Sequence, residues 1–130
     1  MMVMGKSKFE VEYTFKKGSL PILWSSISTP LGLSEWFADG VTVVANEYTF
    51  MWDKNDQTAL LINIKNNSSI RFQWIEDAGS DFYFEMKIVT IELTGDHALF
   101  VTDFADSSEI EGIKMWWNHQ VETLRRKTGM

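Results

Sequence analysis

The sequence predicts one α+β domain in which a curved antiparallel sheet of seven strands wraps a long C-terminal helix. Three observations carry that prediction. Most of the chain consists of short segments in which apolar and polar residues alternate, the period of a strand with one wet face. After the first such segment the period switches to that of a helix, and the last segment carries an apolar stripe at helical spacing. The 130 residues fit one domain and leave little room for two.

The first strand is predicted over 8–16, where Phe9, Val11, Tyr13 and Phe15 alternate with polar residues. Ser19 can cap a helix and Pro21 suits its first turn. Leu20, Leu23, Trp24 and Ile27 follow at helical spacing, and Thr29-Pro30 stops that helix. A second short helix is expected over 33–38, ended by Asp39-Gly40.

Six strands come next. They are expected over 41–45, 47–53, 58–65, 69–76, 82–93 and 97–105. The polar run Lys54-Asn55-Asp56-Gln57 is read as a hairpin loop and Asn66-Asn67-Ser68 as a turn. The pattern places Leu60, Ile62 and Ile64 on one face, and Ala98, Phe100, Thr102 and Phe104 in one row. In the segment 82–93 the apolar phase changes after Ile88, which predicts a bulge or strong bend near Ile88-Val89. The final helix is predicted over 108–127, capped by Ser107 or Ser108, with Ile110, Ile113, Trp117, Val121 and Leu124 as its stripe. Trp116 lies off the stripe. It suits a neighbouring loop or a self-association surface, the feature on which a homodimer would rest.

Composition narrows the function classes. The net charge is −6 and no basic stripe stands out, so neither nucleic acid nor an anionic membrane is an expected partner. With no cysteine, disulfides, thiolate metal sites and cysteine nucleophiles are excluded. The N-terminus resembles neither a secretory signal nor an anchor, and a cytoplasmic location is expected. The Asn-X-Ser sequences at Asn66 and Asn67 then read as turns, not glycan acceptors.

The local motifs resemble those of a known family. Trp24-Ser-Ser-Ile-Ser-Thr-Pro30 followed by Leu33-Ser-Glu-Trp36-Phe37 is similar to the helix, proline and "Leu-x-x-Trp-Phe" of AHSA-type domains. Thr49-Phe50-Met51-Trp52 resembles their "Phe-x-Trp" strand, and Ile70-Arg71-Phe72-Gln73-Trp74 their strand ending in Trp. Trp117, Val121 and Leu124 resemble the final-helix pattern. AHSA-type domains, named for homologues of a heat-shock-chaperone ATPase activator, form a branch of the START-like (SRPBCC) superfamily. Two departures fall near the expected pocket mouth: Trp116 stands where the family often has Gly, and Asn46 and Glu47 replace glycines usual there. The resemblance implies the helix-grip fold, β-α-α-β6-α, over residues 8–127, with 1–7 a flexible N-terminus.

The resemblance also implies a cavity between sheet and helix, and the first reading is a binding module that takes a small apolar or amphipathic molecule there without catalysis; no cofactor is expected. Its expected lining is Trp36 and Phe37 at the mouth, then Tyr48, Phe50, Trp52, Phe72, Trp74, Phe100 and Trp117. Any one ring taken singly reads first as core, and the cavity reading belongs to the set. Tyr13, Tyr48 or Asn63 would supply polar contacts. Two rival readings stand beside this one. The first is a protein-interaction module similar in role to the chaperone activator. The second is a cyclase or hydrolase using the same pocket, as in some superfamily members. Chemistry needs an inward acid or base, for which Asp39 and Asp103 are the candidates. Isolated His97 and His119 read as surface or cap residues, and no metal site is readable.

Overall fold

Alternating side chains and tight turns lay out an uninterrupted meander of six strands, preceded by one strand that crosses to the far edge. The computed structural model describes residues 5–16 and 18–130. In chain order these are β1 (Ser7–Phe15), α1 (Leu20–Ser28), α2 (Pro30–Leu33), β2 (Gly40–Val44), β3 (Glu47–Trp52), β4 (Asn55–Lys65) and β5 (Ser69–Trp74). A 3₁₀ turn (Ile75–Asp77), β6 (Phe84–Thr90), β7 (His97–Ala105) and α3 (Ile110–Thr128) complete it. The seven strands form one antiparallel sheet in the order β1-β7-β6-β5-β4-β3-β2. This is the helix-grip α+β architecture the sequence predicts. Of the segment 1–7, expected to be flexible, residues 1–4 lie outside the described residues. Lys6 pairs with Asp77 at 3.1 Å, and Ser7 opens β1.

The core lies between the concave face of the sheet and α3. Trp117, Val121 and Leu124 of the helical stripe are buried there against Phe15, Phe37, Phe84 and Leu99, among others. Gly129 ends α3 in the left-handed conformation at φ 74°, and its N–H donates to Arg125 O at 2.8 Å. Arg125, Arg126 and Lys127 lie in the last turn, where the helix carboxyl end favours positive charge. Among the described residues no helix is long and apolar enough to cross a membrane.

Five local expectations are corrected. The second helix runs over Pro30–Leu33, not 33–38, because Thr29 caps it as well as ending α1. Thr29 Oγ1 accepts from Gly32 N–H at 2.9 Å, and Pro30 occupies the first position, where its missing N–H costs nothing. The hairpin loop shrinks, because Asn55, Asp56 and Gln57 already pair with Trp52, Met51 and Phe50. The bulge lies in β4 between Leu61 and Asn63, not at Ile88-Val89, and β6 pairs regularly up to Thr90. Ala59 and Leu61 therefore face inward where Leu60 and Ile62 were expected, and Ile62 and Ile64 are 47% and 48% exposed. Residues Ala-Leu-Leu-Ile-Asn-Ile are apolar at both parities, so only the pairing decides the face.

β7 gives the fourth correction. Leu99, Val101 and Asp103 point inward, paired with Tyr13, Val11 and Phe9, so the row of Phe100 and Phe104 is the outer one. The fifth concerns the start of α3. Neither Ser107 nor Ser108 caps it; Glu109 holds the cap position without a side-chain hydrogen bond.

α1 and α2 meet at a contact that only glycine permits. A Cβ on Gly32 would stand 2.1 Å from Ser25 O and 2.7 Å from Ser26 Cα. Gly32→Ala is expected to force the two helices apart and lose about 1–3 kcal/mol, an overpacking cost read as a lower urea midpoint at unchanged slope.

Candidate functional site

Phe37 is the centre of the aromatic core. Its ring lies 4.9–5.7 Å, centroid to centroid, from Trp36, Phe50, Trp52, Phe84, Trp116 and Trp117. Its carbonyl accepts from Trp52 Nε1–H at 2.9 Å and from Gln120 Nε2–H at 3.0 Å. Trp36 Nε1–H donates to Ser26 O at 2.7 Å, and Gln120 also donates to Trp36 O. The segment after α2 is thereby stitched to both the sheet and α3. Trp36 and Phe37, expected at a pocket mouth, are buried in the interior. Tyr48, Phe50, Phe72 and Trp117 pack beside them as core. Phe100 is on the opposite face of the sheet, beside Glu10, Glu85 and Lys87.

Trp52 and Trp74 have a different setting. With Trp116 and Ile113 of α3 they surround a cleft of about 460 Å³ at the amino-terminal end of that helix. Its polar wall is Asn55, Gln57 and Asp103. A smaller recess of about 210 Å³ shares Gln57, Trp74, Asp103 and Ile113 and extends toward Lys6, Glu76, Asp77 and Glu109. The indoles come from three elements: Trp52 and Trp74 have centroids 6.4 Å apart, Trp52 and Trp116 6.1 Å. Trp116 remains 36% exposed although it also meets Phe37 and Trp117 edge-on, so one ring edge is anchored while the rest faces the cleft and solvent.

Asp103 is the inward carboxylate of this site. Its Oδ2 accepts from Trp117 Nε1–H at 2.9 Å and its Oδ1 from Phe104 N–H at 2.8 Å. Burial pushes its carboxyl above the ordinary value, against the lowering effect of those two donors and of Lys6. Asp39, the other candidate, is exposed and accepts from Asp53 N–H at 2.8 Å, so it ties down the β3–β4 turn. Of the two histidines, His119 is exposed; His97 is buried instead, its Nδ1 3.0 Å from Thr90 Oγ1. Among the described residues no group of three or more His, Asp or Glu side chains is placed to hold a metal ion.

The expected polar contacts lie elsewhere. Tyr13 donates its hydroxyl to Asn118 Oδ1 at 2.6 Å, and burial pushes its pKa up to about 12. Tyr48, whose hydroxyl is also shifted upward by burial, packs on Phe72, and Asn63 is exposed past the bulge. The polar residues at the cleft that sequence reasoning missed are Asn55 and Gln57. Counting back by twos from the small apolar Ala59 reaches both, which is the signal that would have placed them inward.

A family model for the START-like superfamily domain matches residues 3–130. The chain belongs to the START-like superfamily. BfR322 from Bacteroides fragilis, solved by solution NMR, is 42% identical over 95% of this chain and 92% of its own, with a TM-score of 0.68. The Aha1 dimer from Colwellia psychrerythraea shares the fold at 11% identity and a TM-score of 0.73, covering 92% of this chain and 96% of that one. DynU16, a protein in the dynemicin biosynthetic locus, does so at 15% identity and a TM-score of 0.76, over 94% of this chain and 48% of that one. Among curated proteins none matches the sequence.

Proposed function

We propose that this START-like chain, with residues 8–127 as its domain, is a cytoplasmic binding module for a small, flat, amphipathic molecule. The ligand sits in the cleft of Trp52, Trp74 and Trp116 and makes its polar contacts with Asn55, Gln57 and Asp103. The single observation that carries this reading is the convergence of three partly accessible indoles from β3, β5 and α3 on one opening of small-molecule size. Ring-on-ring burial would supply the affinity. About 150–200 Å² of apolar ligand surface contributes about 4–5 kcal/mol before the entropy of association is subtracted, which favours a weak, exchangeable ligand. Both oxygens of Asp103 already accept protein N–H groups, which favours binding over acid–base chemistry at this position.

The test is a titration with Nile red, a neutral planar dye that brightens in apolar surroundings. Trp116→Ala should leave the fold intact, since its ring is partly exposed, and weaken dye binding about tenfold through the lost stacking. Ile22→Asp, in a separate groove between α1 and the end of α3, should change nothing. Equal loss in both variants, or in neither, would refute the cleft.

One observation favours a second reading. Met115 is 70% exposed next to Trp116 on α3, an apolar edge suited to a second copy of the chain, and the Aha1 neighbour was solved as a dimer. Sedimentation equilibrium should then show a dimer that Met115→Glu dissociates; a monomer at all concentrations would discard it.

A further inference from the structure

The cleft has a charge pattern of its own. Among the described residues Lys6 is the one cation along the walls of the cleft and its recess, and it is paired with Asp77. Asp103, Glu76 and Glu109 take part in no ion pair among the described residues. Asp103 is the most enclosed of the three; Glu76 and Glu109 are exposed and act at longer range. The rings add to this. Among the described residues four cations stand over aromatic faces, but over Phe82, Tyr83, Phe9 and Phe15. Among the described residues none stands over Trp52, Trp74 or Trp116, although tryptophan presents the strongest face to a cation.

We infer that the ligand of this cleft is a cation, a protonated arylalkyl amine whose ring stacks among Trp52, Trp74 and Trp116 and whose charge is turned toward Asp103. The inference rests on the cleft reading and adds the sign of the ligand's charge. A carboxylate or phosphate would bring like charge to three unpaired acids, with Asp103 held where water screens it least. A neutral ring would fill the cleft but leave both the acids and the indole faces without their complement. An ammonium meets both. The indoles also desolvate the approach to Asp103, so charge attraction there is stronger than between exposed groups.

Three probes sharing one ring test it: naphthylmethylamine, cationic at neutral pH, neutral naphthylmethanol and anionic naphthoate. Affinities are read from the indole N–H signals in nitrogen-15 spectra of the full chain. The amine should bind about tenfold tighter than the alcohol, and naphthoate weakest. That advantage should shrink with added salt and fall toward unity in Asp103→Asn. The double variant Glu76→Gln, Glu109→Gln, altered only at exposed positions, should lower it by a smaller factor, which keeps the test valid if Asp103→Asn proves unstable. An alcohol that binds as tightly as the amine would overturn the charge assignment and leave the Nile red cleft standing. So would an amine whose affinity ignores salt and all three carboxylates. Loss of Nile red binding in every form would instead remove the cleft, and this inference with it.

Discussion

Phe37→Ala is expected to be the most damaging single truncation in the chain, costing about 3–5 kcal/mol. The ring is almost fully buried and meets six other aromatic rings, so its removal leaves a cavity that rigid neighbours cannot fill by small shifts. Its backbone carbonyl would still accept from Trp52 and Gln120, so the loss should be one of packing and not of hydrogen bonding. Urea unfolding followed by tryptophan fluorescence measures it directly. Phe37→Leu should recover more than half of the loss, because it refills most of the volume. A cost below about 1 kcal/mol for the alanine variant would mean that the ring cluster is not the stabilising core.

Trp117→Ala should cost a similar amount, and comparison with Trp117→Phe separates its two roles. Trp117 stacks obliquely on Phe37 and edge-on to Trp116, and its Nε1–H serves Asp103. The phenylalanine variant keeps most of the packing and removes the donor, leaving the Asp103 carboxylate short of one partner, at about 1–3 kcal/mol. The pH dependence fixes the sign. Burial already holds the folded Asp103 pKa above the ordinary 3.8, so its contribution to stability is fully present below 3.8 and is lost as pH rises through the folded value. Removing the Trp117 donor, which lowers that pKa, raises it further. The stability deficit of Trp117→Phe should therefore grow from acid to neutral pH, and in the Asp103→Asn background that growth should vanish.

Strand-level structure was readable where one parity was apolar and the other polar. β1, β3 and β5 meet that condition, and their inward faces stand as the alternation of Phe9 to Phe15, Tyr48 to Trp52 and Ile70 to Trp74 indicates. β4 and β7 are apolar at both parities, and there the face is set by hydrogen-bond register with neighbours. That is why Phe100 was expected inward and stands outside, and why the bulge belongs to β4. The cleft was legible only in part. Trp52 and Trp74 were singled out by their strands, and Trp116 by its departure from the helical stripe. Asn55 and Gln57 were hidden because a polar run looks like a loop until its pairing with Phe50 and Trp52 is known. How much of the sheet–helix space the rings of Phe37, Phe50 and Phe72 fill depends on three-dimensional packing, for which periodicity holds no information.

The six tryptophans provide the most direct test of the central claim, that the ligand site is the cleft beneath the amino-terminal end of α3. Indole N–H signals, assigned by single substitutions, would be followed while Nile red is added. Shifts are expected at Trp52, Trp74 and Trp116, a smaller one at Trp117 relayed through Asp103, and none at Trp24 or Trp36. Shifts centred on Trp24 and Trp36, or a saturable dye signal that moves no indole at all, would contradict it.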